Sequence, residues 1–281
     1  MVEIMIVKDI MSEDVVTVSV PGNREDTLEK IIKGGVSLLP VVKKGTNNLV
    51  GILARSDLIT NPDEEQIAML MSTDLVTVDI NDSIEKAAEQ MVKNNIRRIP
   101  VLDGEELVGI VTAFDMVSMA IAEMDIDDAV ENYMITTVPV AWDQTPLSVA
   151  FEVMSLFGLK SVIGLNKEGD LTGILTETDF LSESEVISER TEHSSSVGTE
   201  GDKWSWDSTS ILYIEKNKLK FSDKVIHEVS SKKVATANIK TKVSTCAERM
   251  KSLNIEQMPV LGIDGDLKGL IRASDLIKAL L

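Results

Sequence analysis

The chain has 281 residues, of which 43% are hydrophobic and 26% are charged, so a wholly disordered or fibrous protein is excluded and about two folded domains are predicted. Its formal net charge of −18 argues against binding to nucleic acid or anionic lipid, because phosphate contacts need a basic surface. The single cysteine, Cys246, excludes an internal disulfide framework and a cysteine-rich zinc site, and it is typical of a reducing compartment.

The sequence also gives no indication of membrane insertion or secretion. No stretch reaches the ~18 uncharged apolar residues that a membrane-spanning helix needs. Residues 1–8 carry no basic run ahead of a long apolar core, so they do not predict a signal peptide. We therefore expect a cytoplasmic protein that contacts neither nucleic acid nor membrane.

Short β-branched stretches and amphipathic stretches alternate along the chain, beginning with a predicted strand at 15–18. The alternation is clearest further on, where apolar residues follow first a strand period, then a helical period, then a strand period again. There the predicted elements are a strand at 75–78, a helix after the caps at 81–83, strands at 99–102 and 107–111, and a helix from Thr112. Each unit is therefore predicted as strand–helix–strand–strand–helix.

Three sequence blocks recur four times in the same order, which indicates an internal repeat. The last block places a glycine six residues before an aspartate, at Gly51–Asp57, Gly109–Asp115, Gly173–Asp179 and Gly269–Asp275. A unit of about 55–60 residues buries too little apolar surface to be stable alone, so the repeats are predicted to pair. The predicted boundaries of the four repeats are 1–62, 63–125, 126–182 and 223–281.

An insertion at 183–222 separates the third repeat from the fourth. Its first half is acidic and rich in serine, and we expect it to be mobile. Its second half predicts a hairpin with a strand at 211–214, a turn at 215–218 and a strand at 219–221. The aromatic residues of the second half, Trp204, Trp206, Tyr213 and Phe221, either form a docking site for a partner protein or pack on the third repeat.

The order of the blocks, with Arg-Ile-Pro-Val at 98–101 and Gly-Ile-Val-Thr-Ala-Phe-Asp at 109–115, resembles the cystathionine-β-synthase (CBS) domain family. The resemblance covers nearly the whole chain except the insertion. It implies an α+β fold in which four β-α-β-β-α repeats pair into two Bateman modules. This layout is similar to that of the γ subunits of AMP-activated protein kinase and of stand-alone archaeal four-CBS proteins. It implies that the modules pair within one chain, and it leaves a homodimer open.

The end of each third strand is the strongest candidate for a binding site. A glycine lets the backbone approach a ligand closely, a helix N-terminus attracts an anion, and an aspartate accepts hydrogen bonds from both hydroxyls of a ribose. The spacing Thr112-x-x-Asp115 fits a capping box equally well, and a capping box needs no ligand. The resemblance implies that Thr112 and Asp115 hold the phosphate and ribose of an adenosine nucleotide, and capping and binding are compatible.

The four copies of this motif differ. The third repeat keeps both groups, Thr176 and Asp179, with Thr178 next to the aspartate, whereas the first repeat has Ala54 at the threonine position. The fourth repeat has Arg272 there, which either pairs with a phosphate or blocks the cleft. The remaining candidate ligand-binding residues at these strand ends are Ser56, Asp57, Ser274 and Asp275.

Basic residues ahead of the second strand are candidates for phosphate contacts. Arg97 and Arg98 stand there in the second repeat, and the resemblance implies that a basic residue at this place reaches nucleotide phosphates. The alternative is two charges on a strand approach, one of them in a surface ion pair. Only Lys160 keeps a positive charge at the matching place, so the first module is the better candidate for a charged nucleotide. Thr77 is a further candidate, because first strands line the adenine pocket in the family, although threonine also fills strands ordinarily.

The chain lacks the residue constellations of catalysis. Its two histidines support neither a triad nor a histidine-based metal site, and it has neither a Walker A loop nor a G-x-G-x-x-G fingerprint. We therefore expect a non-catalytic regulatory protein without a catalytic cofactor. It would sense AMP, ADP, ATP or S-adenosylmethionine in clefts between repeats and signal to a separate, unidentified protein. The alternatives are a ligand-free scaffold whose motifs serve only as helix caps, and an enzyme with a hidden activity.

Overall fold

A computed structural model of the chain describes residues 5–34, 36, 38–54, 57–58, 64–159, 161–176, 179–180, 184–194, 211–231 and 233–281. Across this part of the chain, strands and helices follow one another in the order predicted for four repeats. Each repeat builds one small three-stranded sheet, and the insertion builds a separate two-stranded sheet.

The first two repeats contain six of the sheet strands. In the first repeat a 3₁₀ turn at Val7–Asp9 precedes β1 (Val18–Val20), α1 (Arg24–Gly34), β2 (Leu38–Lys43) and β3 (Leu49–Ala54). In the second repeat the elements are α2 (Ile67–Leu70), β4 (Val78–Asp79), α3 (Ile84–Lys93), β5 (Arg98–Asp103), β6 (Glu106–Thr112), α4 (Ala113–Met119) and a 3₁₀ turn at Ile121–Glu123.

The last two repeats follow the same order around the insertion. The third repeat has a 3₁₀ turn at Val130–Asn132, β7 (Val140–Trp142), α5 (Leu147–Phe157), β8 (Ser161–Leu165) and β9 (Leu171–Thr176). The insertion contributes β10 (Ser184–Ser194) and β11 (Ile211–Phe221). The fourth repeat has α6 (Ile226–Val229), β12 (Ala237–Asn238), α7 (Val243–Leu253), β13 (Gln257–Leu261), β14 (Leu267–Arg272), α8 (Ala273–Leu276) and a 3₁₀ turn at Ile277–Leu280.

The sheets mix parallel and antiparallel strands. In each repeat the first strand lies parallel to the second, since a helix connects them, and a tight turn joins the second strand to the third. In the first three repeats that second pair is antiparallel. The predicted α+β fold of four β-α-β-β-α repeats in two Bateman modules is confirmed. The strand predicted at 75–78 is shorter than expected, because only Val78 and Asp79 pair with β5.

Helix α3 illustrates how the local pattern determines an element. The Ser83 hydroxyl accepts a hydrogen bond from the Lys86 amide (3.3 Å) and caps the helix. The buried residues of the helix recur at helical spacing and pack towards β5, and they are Ile84, Ala87, Ala88 and Met91. One apolar face of the helix therefore covers the sheet, as its sequence predicts.

Two compact units make up the chain. The first comprises Met1–Thr136, Thr236–Ile263 and Lys268–Leu281, and the second comprises Thr137–Ala235 and Asp264–Leu267. The first unit therefore contains repeats one and two together with most of repeat four. Within it, α4 packs against α7 and α8, the turn at Ile121–Glu123 packs against α7, and the turn at Ile277–Leu280 packs against α3. Repeats two and four thus face each other through equivalent elements.

The segment that leads into each first strand crosses to another repeat. Within the first unit, Ser12 bridges to Ile110, Ser72 to Ile52 and Ile135 to Leu270. Within the second unit, Ser231 bridges to Ile174. In every case the bridged residue directly follows the glycine of the repeated block. These crossings join repeats one and two reciprocally, so each of the two supplies a segment that pairs with the other.

The glycines of the repeated block make room for these crossing segments. A Cβ placed on Gly109 would lie 2.7 Å from Met11 Sδ, and one on Gly269 would lie 2.5 Å from the Ile135 carbonyl oxygen. The sequence analysis gave these glycines the role of admitting a ligand to the backbone. The structure gives them a role within the chain, because the neighbour that needs the space is another segment of the protein, and their role towards a ligand stays a prediction.

The insertion differs from its prediction. Strand β10 pairs with β11 along its full length, so the two halves of the insertion form the two strands, and the predicted turn at 215–218 lies inside β11. The register sets Glu185 opposite Lys220 and Glu189 opposite Lys216. A search for local hairpin signals misses this pairing of distant halves. Trp204 and Trp206 lie outside the described residues.

Candidate functional site

The second repeat brings four of the predicted site residues together at the end of β6. Antiparallel pairing sets Arg98, the first residue of β5, directly opposite Thr112, the last residue of β6. The Arg97 carbonyl accepts a hydrogen bond from the amide of Ala113, the first residue of α4 (2.9 Å). Asp115 stands one turn into that helix, so the two arginines and the Thr112–Asp115 motif share one edge of the sheet.

Thr112 and Asp115 form a complete capping box. Asp115 Oδ2 accepts hydrogen bonds from the Thr112 amide (2.8 Å) and from Thr112 Oγ1 (2.7 Å), while Thr112 Oγ1 accepts one from the Asp115 amide (3.1 Å). All of these bonds to the carboxylate use Oδ2. Among the described residues, Asp115 Oδ1 accepts no hydrogen bond. Capping therefore engages one carboxylate oxygen and leaves the other for a further donor.

The charges around this box act on one another. Burial raises the pKa of the Asp115 carboxyl, the bonds from Thr112 lower it, Glu256 raises it further and Arg98 lowers it, and the net direction is upward. Burial and the neighbouring Arg97 lower the pKa of the Arg98 guanidinium, which Glu256 and Asp115 raise. Arg98 stays protonated at neutral pH all the same, because a guanidinium does not lose its proton in proteins. The site therefore presents a half-buried carboxylate beside a permanent cation.

Glu256 is a site residue that the sequence analysis did not identify. Its Oε2 lies 3.7 Å from Arg97 Nη1, and both side chains are about half exposed, 53% for Glu256 and 46% for Arg97. Glu256 occupies the place in the fourth repeat that Arg97 occupies in the second, since its carbonyl accepts from the Ala273 amide (2.8 Å). The repeat alignment marks this equivalence, but it gives no sign that repeats two and four face each other. Arg97 therefore makes a surface ion pair with a residue of another repeat.

Thr77 is half-buried immediately before β4, and β5 stands between β4 and β6 in the sheet. Its assignment to an adenine pocket remains a prediction.

The third repeat forms the same two bonds from threonine to the aspartate carboxylate. Asp179 Oδ2 accepts hydrogen bonds from the Thr176 amide (2.7 Å) and from Thr176 Oγ1 (2.8 Å). Ser161, at the place of Arg98, stands opposite Thr176 in the sheet. Lys160 and Thr178 lie outside the described residues, so their predicted roles have no structural counterpart.

The first repeat keeps only part of the box. Asp57 Oδ2 accepts a hydrogen bond from the Ala54 amide (2.7 Å), which is the backbone half of the arrangement. Ala54 has no hydroxyl to supply the other half. Ser56 lies outside the described residues.

The fourth repeat holds its aspartate in a different way. Asp275 is only 2% exposed, and its Oδ2 accepts from Arg272 Nε (2.7 Å). Its Oδ1 accepts from Arg272 Nη2 (3.1 Å) and from Lys278 Nζ (3.2 Å), while Ser274 beside it is half-buried. Arg272 therefore occupies both oxygens of the carboxylate, and a ribose could reach Asp275 only by displacing it.

The described residues offer few other chemical sites. No group of three or more histidine, cysteine, aspartate or glutamate side chains among them is arranged to hold a metal ion. Cys246 is buried in α7, and burial raises the pKa of its thiol to about 12. In the part of the chain that the structure describes, every helix is too short or too polar to cross a bilayer.

The model of the CBS domain family matches the chain four times, at residues 7–64, 66–121, 130–185 and 226–281. The uncharacterized protein MJ1225 of Methanocaldococcus jannaschii is 23% identical over 261 residues, which cover 85% of this chain and 86% of that protein. The CBS domain-containing protein YhcV of Bacillus subtilis is 33% identical over 116 residues, covering 39% of this chain and 81% of YhcV.

Two solved structures share the fold over almost the whole length. An uncharacterized conserved protein from Pyrococcus horikoshii has a TM-score of 0.69 at 28% identity, covering 99% of this chain and 100% of that chain. The structure of MJ1225, described there as a candidate archaeal homolog of γ-AMPK, has a TM-score of 0.69 at 21% identity with the same coverage. All four repeats and their order thus recur in other proteins.

Proposed function

The chain belongs to the CBS domain family, and from that premise we propose that it is a non-catalytic regulatory protein that binds adenosine-containing ligands. The ligand would be AMP, ADP, ATP or S-adenosylmethionine, held at the ends of the third strands. Binding would favour one arrangement of the repeats over another, since a ligand can shift a conformational equilibrium only by its differential affinity. The change would be passed to a separate regulated protein.

One observation carries this proposal, namely that the capping box of the second repeat uses only half of its carboxylate. A ribose offers two hydroxyl donors, and Asp115 Oδ1 accepts none from the described residues. Arg98 stands opposite Thr112 in the sheet and supplies a positive charge for a phosphate. One ligand could therefore contact Thr112, Asp115 and Arg98 while the hydrogen bonds of the helix cap stay intact.

The other repeats are proposed as weaker or conditional sites. The third repeat has the same two bonds from threonine to aspartate but Ser161 in place of Arg98. The first repeat lacks the threonine hydroxyl, and in the fourth repeat Arg272 would have to release Asp275 before that carboxylate could bind a ribose. We rank the second repeat first as a nucleotide site.

A thermal-shift panel tests the proposed function. Purified protein is heated with AMP, ADP, ATP or S-adenosylmethionine, and separately with inorganic phosphate and ribose 5-phosphate as controls without adenine. A ligand that binds only the folded state at 100 times its Kd stabilises that state by about 2.7 kcal/mol, so at least one adenosine ligand should raise the midpoint clearly above both controls. Midpoints that never exceed those of the controls would contradict the proposal.

The alternative function is a ligand-free scaffold, and the geometry gives it a specific basis. In the second and third repeats the threonine hydroxyl donates a hydrogen bond to the aspartate, and in the second repeat it also accepts one from a helix amide. A capping box stabilises its helix without any ligand, because the loss of a cap alone costs about 1 kcal/mol of stability. The same panel separates the two functions, since a scaffold predicts no adenosine-dependent shift.

A further inference from the structure

Repeats two and four place opposite charges at the same position of their strands. Arg97 and Glu256 each precede a second strand, and each offers its carbonyl to the first amide of the following helix. Because α4 packs against α7 and α8, these equivalent positions face each other, with Arg97 Nη1 3.7 Å from Glu256 Oε2. The fourth repeat thus contributes a carboxylate to the edge where the second repeat holds its candidate site.

Glu256 changes the electrostatics of that edge. Among the described residues of the second repeat, the site has two cations, Arg97 and Arg98, and one anion, Asp115. Glu256 adds a second anion to these described groups. The influence of Glu256 extends beyond its partner, because it raises the pKa of Asp115 and of Arg98 as well. Glu256 therefore reduces, from across the repeat interface, the positive potential that a polyphosphate would need.

We propose that Glu256 is a specificity-determining residue of the second-repeat site, which it biases towards adenosine ligands with one phosphate or none and against triphosphates. This inference rests on the proposed function of that site. Glu256 acts by engaging Arg97, which then has less charge to offer to phosphates beyond the first. It also repels added negative charge, and each further phosphate adds some.

Removal of the Arg97–Glu256 ion pair should leave the protein folded. Both side chains are about half exposed, and exposed ion pairs contribute little to stability. A matched control exists across the same interface, where Glu123 Oε1 accepts a hydrogen bond from Lys251 Nζ (2.6 Å). Glu123→Gln removes an equivalent charge and an equivalent pair between repeats two and four, but Glu123 does not act on Asp115 or Arg98.

The experiment measures the affinities of AMP and ATP by calorimetry for the full-length wild type, Glu256→Gln and Glu123→Gln. We expect Glu256→Gln to raise the ratio of ATP affinity to AMP affinity by about three- to ten-fold, since one half-exposed charge is removed. Glu123→Gln should leave the ratio unchanged. In an Arg97→Gln background the gain from Glu256→Gln should shrink, because the two side chains act as a pair.

Each outcome decides the matter. AMP or ATP binding to the wild type with an unchanged ratio in Glu256→Gln overturns the role of Glu256 and leaves the proposed function standing. An equal change in Glu123→Gln also overturns it, because the effect would then come from a loosened interface. A full gain in the Arg97→Gln background would overturn the pairing. Failure of both ligands to bind any of these proteins would overturn the proposed function together with the inference.

Discussion

The aspartate of the repeated block is one residue type with three different environments. Asp115 caps a helix through one oxygen and leaves the other without a partner among the described residues. Asp57 accepts from a backbone amide without a threonine hydroxyl to help, and Asp275 is held at both oxygens by Arg272. The identity of the residue three positions earlier determines which environment results. That position is readable in the sequence, but the way in which Arg272 engages the carboxylate is not.

The fourth repeat allows a test of this difference through stability. Asp275 is almost fully buried, so Arg272→Ala leaves a buried carboxylate with Lys278 as its remaining cation. We expect a loss of about 1–2 kcal/mol in the free energy of unfolding, measured by urea denaturation followed by circular dichroism. Arg249→Ala is the control, because Arg249 is exposed and its guanidinium donates, among the described residues, to the Thr236 carbonyl alone (2.7 Å). Equal losses in the two variants would show that the Arg272–Asp275 pair stabilises the fold no more than an exposed arginine does.

Cys246 gives a second prediction at this scale. Its thiol is buried in α7, and burial raises its pKa to about 12, so the thiolate that reacts is scarce at pH 8. We expect a chromogenic disulfide reagent to label native protein far more slowly than protein unfolded in urea, with the rate following the unfolding equilibrium. Complete labelling of the native protein within the mixing time would contradict the burial of this residue.

At the scale of elements, the crossing segments are what the sequence could not foretell. Hydrophobic periodicity and turn residues predicted the strands and helices of each repeat, because that information is local. Which repeat a leading segment joins depends on contacts between residues far apart in the chain, and no local pattern encodes them. The glycine before each bridged residue indicated that some group comes close to the backbone there. The sequence analysis took that group to be a ligand, whereas in the structure a crossing segment of the chain lies there. The β10–β11 pairing was missed for the same reason.

The glycine of the fourth repeat tests the crossing directly. A Cβ at Gly269 would lie 2.5 Å from the Ile135 carbonyl oxygen, which the Leu270 amide holds in place (2.9 Å). Gly269→Ala should therefore lower the free energy of unfolding by about 1–3 kcal/mol. At Gly51 the atom 2.5 Å away is Met71 Sδ, which belongs to a flexible side chain, so Gly51→Ala should cost less. The reverse order of the two losses in urea denaturation would contradict this account of the glycines.

At the scale of the whole molecule, the insertion stands out from the repeats. Strand β11 lies beside α5, and the exposed positions of that helix include the apolar residues Val149, Val153, Leu156 and Phe157, with Leu156 79% exposed. The matching positions of α3, counted from the first residue of each helix, are polar, as Lys93 is for Leu156. A two-stranded sheet is marginal on its own, which favours packing of the insertion on the third repeat over a free arm. Whether it also serves a partner remains a prediction.

Replacing 183–222 by a short Gly-Ser linker separates these roles. The insertion belongs to the second compact unit, whereas the second-repeat site lies in the first. We expect the AMP affinity of that site to be kept, and the thermal midpoint to fall, because α5 loses the strand beside it. Binding of a hydrophobic dye should rise with the exposure of α5. An unchanged midpoint would instead support an arm that packs on nothing and serves a partner.

The most direct test of the central claim is a calorimetric titration of AMP into the wild type, Asp115→Ala and Ser83→Ala. Each variant loses a side chain that stabilises a helix N-terminus, at a cost of about 1 kcal/mol, but only Asp115 belongs to the candidate site, since Ser83 caps α3. The account predicts saturable binding to the wild type, the same affinity for Ser83→Ala, and an affinity about ten-fold or more weaker for Asp115→Ala, because a charge-assisted contact to ribose is lost. Equal affinities for Asp115→Ala and the wild type, with both proteins folded, would contradict it.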